Sequence, residues 1–228
     1  MPTIENLLKK LAEEARKFAE RNELEESNFD KKSHNSADKE FKQLHLTNTL
    51  IAAMPQLDEP TFAGTLIYIY QHNSQGAAGL IINKKLDINL GSVFERMNFQ
   101  ERNPKFSEQS IYFGGPVKLE HGFILHKPYK NKRWESTLKI NENIAVTTSK
   151  DILNEACEHY NVGKMLVALG QATWMPGQLE YEIQNNFWLT LPINYDIIFE
   201  TPSELRYDAA LEQFGFNSYQ LVGNAARA

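Results

Sequence analysis

The chain has 228 residues, a mass of 26.2 kDa and a formal net charge of −5 at pH 7. Its contents of 42% hydrophobic and 23% charged residues are typical of a globular protein and exclude a fibrous or wholly disordered chain. The acidic balance disfavours unassisted DNA binding, because basic residues that neutralise phosphates supply much of that affinity.

Residues 3–20 are predicted to form an amphipathic helix. Thr3 can cap it, and its apolar positions recur at helical spacing: Ile4, Leu7, Leu8, Leu11, Ala15 and Phe18. Residues 21–42 carry few apolar side chains, which predicts a linker or disordered arm. We therefore expect residues 1–43 to be an extension and residues 44–228 to form one domain.

Short apolar runs recur after the extension, and their length and their β-branched or aromatic residues favour strands. After the stretch LTNTLIAAMP, the runs in chain order are TLIYIY, AGLIIN, SIYF, GFILH, MLVALG, FWLTL and DIIF. None of these runs approaches the ~20 apolar residues that a membrane-spanning helix requires. The N-terminus also lacks the apolar stretch of a signal peptide, so we expect a cytoplasmic protein.

Three helices are predicted among these strands, one of them over residues 178–185. Another covers residues 150–160. The third begins at a capping box of Thr201 and Glu204 and ends at Gly215. Strands and helices alternate irregularly, so we predict an α+β fold with a mixed β-sheet and flanking helices rather than a doubly wound parallel sheet.

The stretch LGQATWMPGQLEYEI, residues 169–183, joins a predicted strand ending at Leu169 to a predicted helix over residues 178–185. Its glycines either permit a tight connection or expose backbone amides that could hold an anion. Gln178 and Glu180 either serve recognition from an exposed turn or cap neighbouring backbone groups. Glu180 and Glu182 lie two residues apart and cannot share a helix face, which argues against an acid and base pair.

The histidines and the single cysteine do not form an evident catalytic set. His72 lies in a predicted turn between two strands, and His126 is either packed or at the surface. His121 and His126 point to opposite faces of an extended segment, which argues against a shared metal. Cys157 alone excludes an internal disulfide and favours a reducing compartment. We predict no catalytic residues, metal or cofactor.

Several unusual motifs occur together in the order IAAMPQLDEPTF, YIYQHNSQGAAGLIIN, GGPV, GFILH, TTSKDIL and LGQATWMPGQLEYEIQNNFWL. Over about residues 44–225 they resemble the AlgH/YqgE family of bacterial proteins. The resemblance implies a single α+β domain and a role in transcriptional regulation. Lys85 departs from the family pattern, which usually has proline there, and residues 1–43 lie outside the resemblance.

The family pattern also implies a set of candidate residues for ligand or partner binding. These are His72, Asn83, Gly114, Gly115, His126, Trp174, Gly177, Gln178, Glu180 and Glu182.

Three functions remain open from the sequence. The first is a regulatory or adaptor protein that binds other proteins, which the resemblance favours. The second is a small-molecule binder or enzyme, in which His72, Asn83, His126 and the turn at residues 174–182 converge from separate loops. The third, direct DNA binding, is disfavoured by the net charge and by the lack of a recognisable helix-turn-helix with basic flanks.

Overall fold

The computed structural model describes residues 45–57, 59–99, 104–129, 132, 134–158 and 163–216. The predicted helix at residues 3–20, the polar stretch after it and the boundary at residue 43 lie outside the described residues. In the part of the chain that is described, no helix is both long and apolar enough to cross a membrane.

The described residues form strands, helices and one short 3-10 turn. The strands are β1 (Thr49–Ala53), β2 (Leu66–Asn73), β3 (Gly76–Ile81), β4 (Lys85–Asn89), β5 (Ser110–Phe113), β6 (Val117–His126), β7 (Thr137–Lys139), β8 (Ala145–Thr147), β9 (Met165–Trp174) and β10 (Trp188–Pro192). The helices are α1 (Leu90–Arg96), α2 (Pro104–Ser107), α3 (Asp151–Glu158), α4 (Gln178–Gln184), α5 (Tyr195–Phe199) and α6 (Arg206–Glu212), with the 3-10 turn at Ser203–Leu205.

The strands form one sheet that is organised around β9. Their order is β10, β1, β2, β3, β9, β6, β8 and β7, while β5 also pairs with β9 and β4 pairs with β5. Among the described strands, β5 runs parallel to β9 and the other pairs are antiparallel. The mixed sheet and its helices confirm the predicted α+β fold.

The core lies on both faces of this sheet. Along β1, Leu50 packs in a cluster that contains Leu211 of α6, whereas the next residue, Ile51, packs in a cluster with Leu179 of α4. Successive side chains of a strand point to opposite faces, so helices on both sides bury the four residues of β1 that follow Thr49. This arrangement explains why its sequence, TLIAA, is apolar without alternation.

Six of the seven apolar runs predicted as strands lie in strands, and the run DIIF does not. Its residues belong to α5, where the Asn194 side chain accepts a hydrogen bond from the backbone N–H of Asp196 and so caps the helix. A short apolar run has no periodicity that separates strand from helix, so this cap decided the outcome.

The helices predicted between the strands are present, with one change at a start. The helix at residues 150–160 is α3, but the predicted capping box at Thr201 is wrong. The Thr201 hydroxyl donates to the carbonyl of Asp196, and Glu204 accepts hydrogen bonds from Ser203 and Lys85. Because both side chains are used elsewhere, α6 begins only at Arg206, after the 3-10 turn.

Three glycines allow β9 to exchange one neighbour for another along its length. The N–H of Gly114 donates to Leu169, and the N–H of Ile81 donates to Gly114, so the chain after β5 runs between β3 and β9. Gly170 lies inside β9, not after it as predicted, and has a φ of 72°. A Cβ at Gly170 would collide with the carbonyl of Gly115. This crossing therefore tolerates no side chain.

We expect Gly170→Ala to lower the free energy of unfolding by roughly 3 kcal/mol or more, because it adds a steric collision to the strain of a left-handed residue. Gly177→Ala is the matched control, since its φ is 77° but a Cβ there would meet no atom within 4 Å. The control should lose only about 1–2 kcal/mol. Urea denaturation measures both, and equal losses would contradict the crossing as the cause.

Candidate functional site

His72 lies inside β2, one residue before its end, and not in the turn as predicted, and the hairpin that follows fixes its position. As predicted from the sequence, the turn uses Asn73, whose side chain accepts from the N–H of Gln75, and Gly76, whose φ is 116°. The backbone N–H of His72 donates to the hydroxyl of Thr47 at 3.0 Å. His72 is consequently only 8% exposed.

Both ring nitrogens of His72 have partners. Nδ1 accepts from the backbone N–H of Leu46 at 3.3 Å, and Nε2 lies 3.0 Å from Oε1 of Glu180. A nitrogen that accepts a hydrogen bond carries no proton, so the proton lies on Nε2 and is donated to the carboxylate. The pair joins the hairpin to α4 across 108 residues of sequence.

Glu182, which also lies on α4, accepts hydrogen bonds from two tryptophans. Its Oε2 accepts from Nε1 of Trp174 at 2.8 Å and from Nε1 of Trp188 at 2.7 Å. The indole rings meet edge to face, with centroids 5.9 Å apart, and both are buried. A charged acceptor for two buried donors is a strong arrangement, because either donor would otherwise be left unsatisfied.

Gln178 completes this cluster at the start of α4. Its side-chain N–H donates to Oε1 of Glu182 at 2.9 Å, and its oxygen accepts from the backbone N–H of Met175 at 2.9 Å. Gln178 therefore caps the backbone of the turn, and Gly177 supplies the left-handed residue before the helix. We call Trp174, Gln178, Glu182 and Trp188 the tryptophan corner.

Two large apolar side chains are exposed beside the corner, together with polar ones such as Thr173 and Gln184. Met175 is 65% exposed and Tyr181 is 44% exposed, whereas the polar side chains of the corner point inwards to one another. The hydrogen bonds of the corner are directed inwards and hold the backbone of the turn. Met175 and Tyr181 are therefore presented to solvent from an ordered backbone.

The structure brings together five of the candidates, His72, Trp174, Gln178, Glu180 and Glu182, with Gly177 beside them. It does not bring the others to this place. Gly114 and Gly115 form the crossing at the middle of β9, where their backbones contact Gly170 and Gln171.

Asn83 and His126 also lie away from the corner. Asn83 follows the far end of β3, where it accepts from the N–H of Leu66 and donates to Gly64. His126 pairs with Met165 at the start of β9, whereas Trp174 is the last of the 10 residues of that strand. At about 3.3 Å per residue, the two ends are roughly 30 Å apart. The hypothesis of one converged polar cluster does not fit this geometry.

His126 is a packed histidine, the first of the two alternatives. It is 2% exposed, its Nδ1 donates to the carbonyl of Lys127 at 3.0 Å, and its Nε2 accepts from the hydroxyl of Thr147 at 2.8 Å. Burial lowers the pKa of His126, and the bond to Lys127 opposes this only in part. The imidazole is therefore neutral near pH 7.

Sequence reasoning missed two sets of residues. Trp188 fitted the family pattern but was not a site candidate, and its link to Glu182 depends on how α4 folds back onto β10. The stretch KPYKNKRW, residues 127–134, combines basic and aromatic residues and could have been singled out as a local basic segment. Among the described residues, no group of three His, Cys, Asp or Glu side chains could hold a metal ion.

Comparison with known proteins gives consistent matches over most of the chain. A family model described as AlgH-like matches residues 50–219. A UPF0301 protein of Burkholderia vietnamiensis is 41% identical over 186 residues, which cover 82% of this chain and 97% of the relative. One of Dechloromonas aromatica is 40% identical over 185 residues, covering 81% and 98%.

Solved structures give the same result. The solution structure of the AlgH protein from Pseudomonas aeruginosa matches with a TM-score of 0.66 and 37% identity, over 81% of this chain and 96% of that one. A crystal structure of a Corynebacterium diphtheriae protein matches with a TM-score of 0.58 and 18% identity, over 76% and 90%. The second likeness shows a shared fold alone.

We expect Glu182→Ala to lower the free energy of unfolding by about 3 kcal/mol, because it leaves two buried indole N–H groups without an acceptor. Glu182→Gln is the matched control, since its amide oxygen can still accept from Trp174 and Trp188 and should lose only about 1 kcal/mol. Urea denaturation followed by tryptophan fluorescence measures both. Similar losses in the two variants would mean that Glu182 does not act through the indoles.

We expect the free energy of unfolding to decrease as the pH decreases, in a way that depends on His126. Its folded pKa lies below the unfolded value of 6.5, so the unfolded chain takes up the proton first as the pH falls. The stability from the neutral ring is fully present above that value and is lost on acidification towards the folded pKa.

Melting temperatures between about pH 7.5 and 5 test this dependence. His126→Gln should give a flatter profile than the wild type. His121→Gln removes an exposed histidine from the same strand and controls for loss of a histidine as such. A wild-type slope in the His126 variant would contradict the assignment.

Proposed function

The chain belongs to the AlgH-like family, as its motifs predicted, and from this premise we propose that it is a regulatory protein that acts by contacting other proteins. The family resemblance supplies the regulatory role. The observation that carries the mode of action is the exposure of two large apolar side chains beside the tryptophan corner, Met175 at 65% and Tyr181 at 44%.

A rigid turn with apolar side chains is well suited to protein recognition. Methionine and tyrosine are enriched at interfaces, and a partner gains more from side chains whose backbone is already ordered. Gln178 ties the backbone at Met175 to Glu182, and the carboxylate ties both to two buried indoles. Binding would therefore require little further ordering of the turn.

The same hydrogen bonds weigh against catalysis at this place. A general base needs a nitrogen or oxygen within reach of a substrate proton, whereas both ring nitrogens of His72 are already engaged. Glu182 has both carboxylate oxygens occupied by N–H donors. These residues are better explained as a support for a surface than as reacting groups.

The net charge of the chain and its single cysteine support a class of partner and a cellular compartment. A net charge of −5 supports a protein partner rather than DNA as the direct target. Cys157 is buried and is the single cysteine of the sequence, which supports a reducing compartment, and we propose the cytoplasm.

We expect Met175→Glu to abolish capture of specific partners while leaving the melting temperature nearly unchanged, because exposed substitutions usually alter stability by less than about 0.5 kcal/mol. Leu138→Glu is the matched control, since Leu138 is 45% exposed but lies on β7, away from the corner. The measurement is affinity capture with quantitative mass spectrometry, followed by titration of each captured protein.

Proteins retained by the wild type and by Leu138→Glu, but lost from Met175→Glu, are the expected result. A loss of affinity of about fivefold or more would match the removal of an interface anchor. If the Met175 and Leu138 variants retained the same proteins with the same affinity, the corner would not be the contact surface.

A further inference from the structure

We propose that a groove at the other end of β9 binds a small molecule that carries phosphate groups. This basic groove is lined by Lys127, Tyr129, Lys132, Trp134, Lys139 and Asn143, with His126 and Glu142 beside them. It lies where β6 ends and where β7 and β8 pair, far from the tryptophan corner. No part of the proposed protein-contact function depends on it.

The groove has the size of a ligand site. Its volume is about 820 Å³, and binding clefts for small molecules usually span roughly 300–1,000 Å³. A second cavity of about 580 Å³ shares Lys127, Tyr129 and Asn143 with it. Lys127 therefore lies at the border of two neighbouring cavities.

The lining is positively charged although the chain as a whole is acidic. Three lysines, Lys127, Lys132 and Lys139, line the groove with one carboxylate, Glu142. A second carboxylate, Glu155, pairs with Lys132, so the lysines exceed the carboxylates by one. His126 adds no charge near pH 7, because burial lowers its pKa. Charges gathered in a concave surface raise the local concentration of ions of the opposite sign, so this end of the protein attracts anions.

The lysines can turn towards a ligand at little cost. Lys132 pairs with Glu155 and Lys139 pairs with Glu142, and the lysine side chains of these pairs are 47% and 52% exposed. Exposed ion pairs of this kind contribute only about 0–1 kcal/mol. Lys127 is exposed and forms no ion pair within the described residues. A phosphate group offers several oxygens to all three ammonium groups.

Trp134 supplies the observation that is independent of charge. It is 5% exposed, and its Nε1 is buried without a hydrogen-bond partner among the described residues. The other two indoles, Trp174 and Trp188, both donate to Glu182. A buried N–H without an acceptor costs about 1–3 kcal/mol, so a ligand that shifts the indole enough to expose Nε1 to one of its acceptors would remove this cost.

Other residues of the groove contact Trp134. His126 meets the indole edge to face at 4.9 Å, and Tyr129 does so at 5.6 Å. The hydroxyl of Thr137 donates to the carbonyl of Trp134 and lies 2.7 Å from the hydroxyl of Thr147, which bonds His126. The indole therefore lies beside the lysines before any ligand arrives.

NMR spectroscopy of the full chain tests the proposal, because three tryptophans give three indole N–H signals. Pyrophosphate and adenosine monophosphate are titrated separately at constant ionic strength, and Trp134→Phe assigns the signal in question. We expect both probes to move the Trp134 signal and to leave those of Trp174 and Trp188 in place. Competition between the probes would show that phosphate is the shared feature.

Lys127→Gln should weaken binding of pyrophosphate by about tenfold or more, the effect of losing one charged hydrogen-bond donor. Lys118→Gln is the matched control, since Lys118 is exposed near the start of β6 whereas Lys127 directly follows its end, and the affinity of this variant should equal that of the wild type. Lys139→Gln provides a second variant within the groove and should also weaken binding.

Four results would overturn the proposal. These are a Trp134 signal that does not move with pyrophosphate, movement of all three indole signals together, equal affinity in the Lys127 and Lys118 variants, and binding of adenosine monophosphate without binding of pyrophosphate. The last result would show recognition of the ring and not of phosphate.

Discussion

The close passage of two backbones at Gly114, Gly115 and Gly170 is the constraint on which the sheet depends. Near its start β9 lies beside β5, near its end it lies beside β3, and β6 follows it on the other side. β9 can pair with both β5 and β3 only if the chain that follows β5 passes close to β9 where one partner replaces the other. Side chains at this place would collide with the backbone. The glycines are explained by this passage, without any ligand.

The tryptophan corner shows how unusual polar residues can serve shape instead of chemistry. Glu182 has no alternative charged partner in the cluster and instead satisfies two indoles and an amide. A carboxylate that accepts three N–H groups at the edge of the core fixes the angle between α4, β9 and β10. The parts of the motif that remain exposed are Met175 and Tyr181, which attract less notice in a sequence than His72 or Glu180.

Most strands and the fold class could be predicted from the sequence, because apolar runs bounded by turn residues report local structure directly. The hairpin at His72 was predictable for the same reason. The run at residues 196–199 was not, since one asparagine side chain decided between strand and helix. Gly170 was assigned to a connection because a left-handed residue inside a strand has no local signal; its reason is Gly115, 55 residues earlier in the chain.

The candidate site was only partly predictable, because pairing across long sequence distances determined it. His72 and Glu180 meet through the sheet, and Asn83 and His126 are carried elsewhere by the same sheet. The two ends of β9 therefore hold two different surfaces, the tryptophan corner and the basic groove. Sites this far apart that share no side chain usually behave independently, so binding at one end need not alter the other. Between them lies a strand paired on both sides, whose backbone has little freedom to transmit a change.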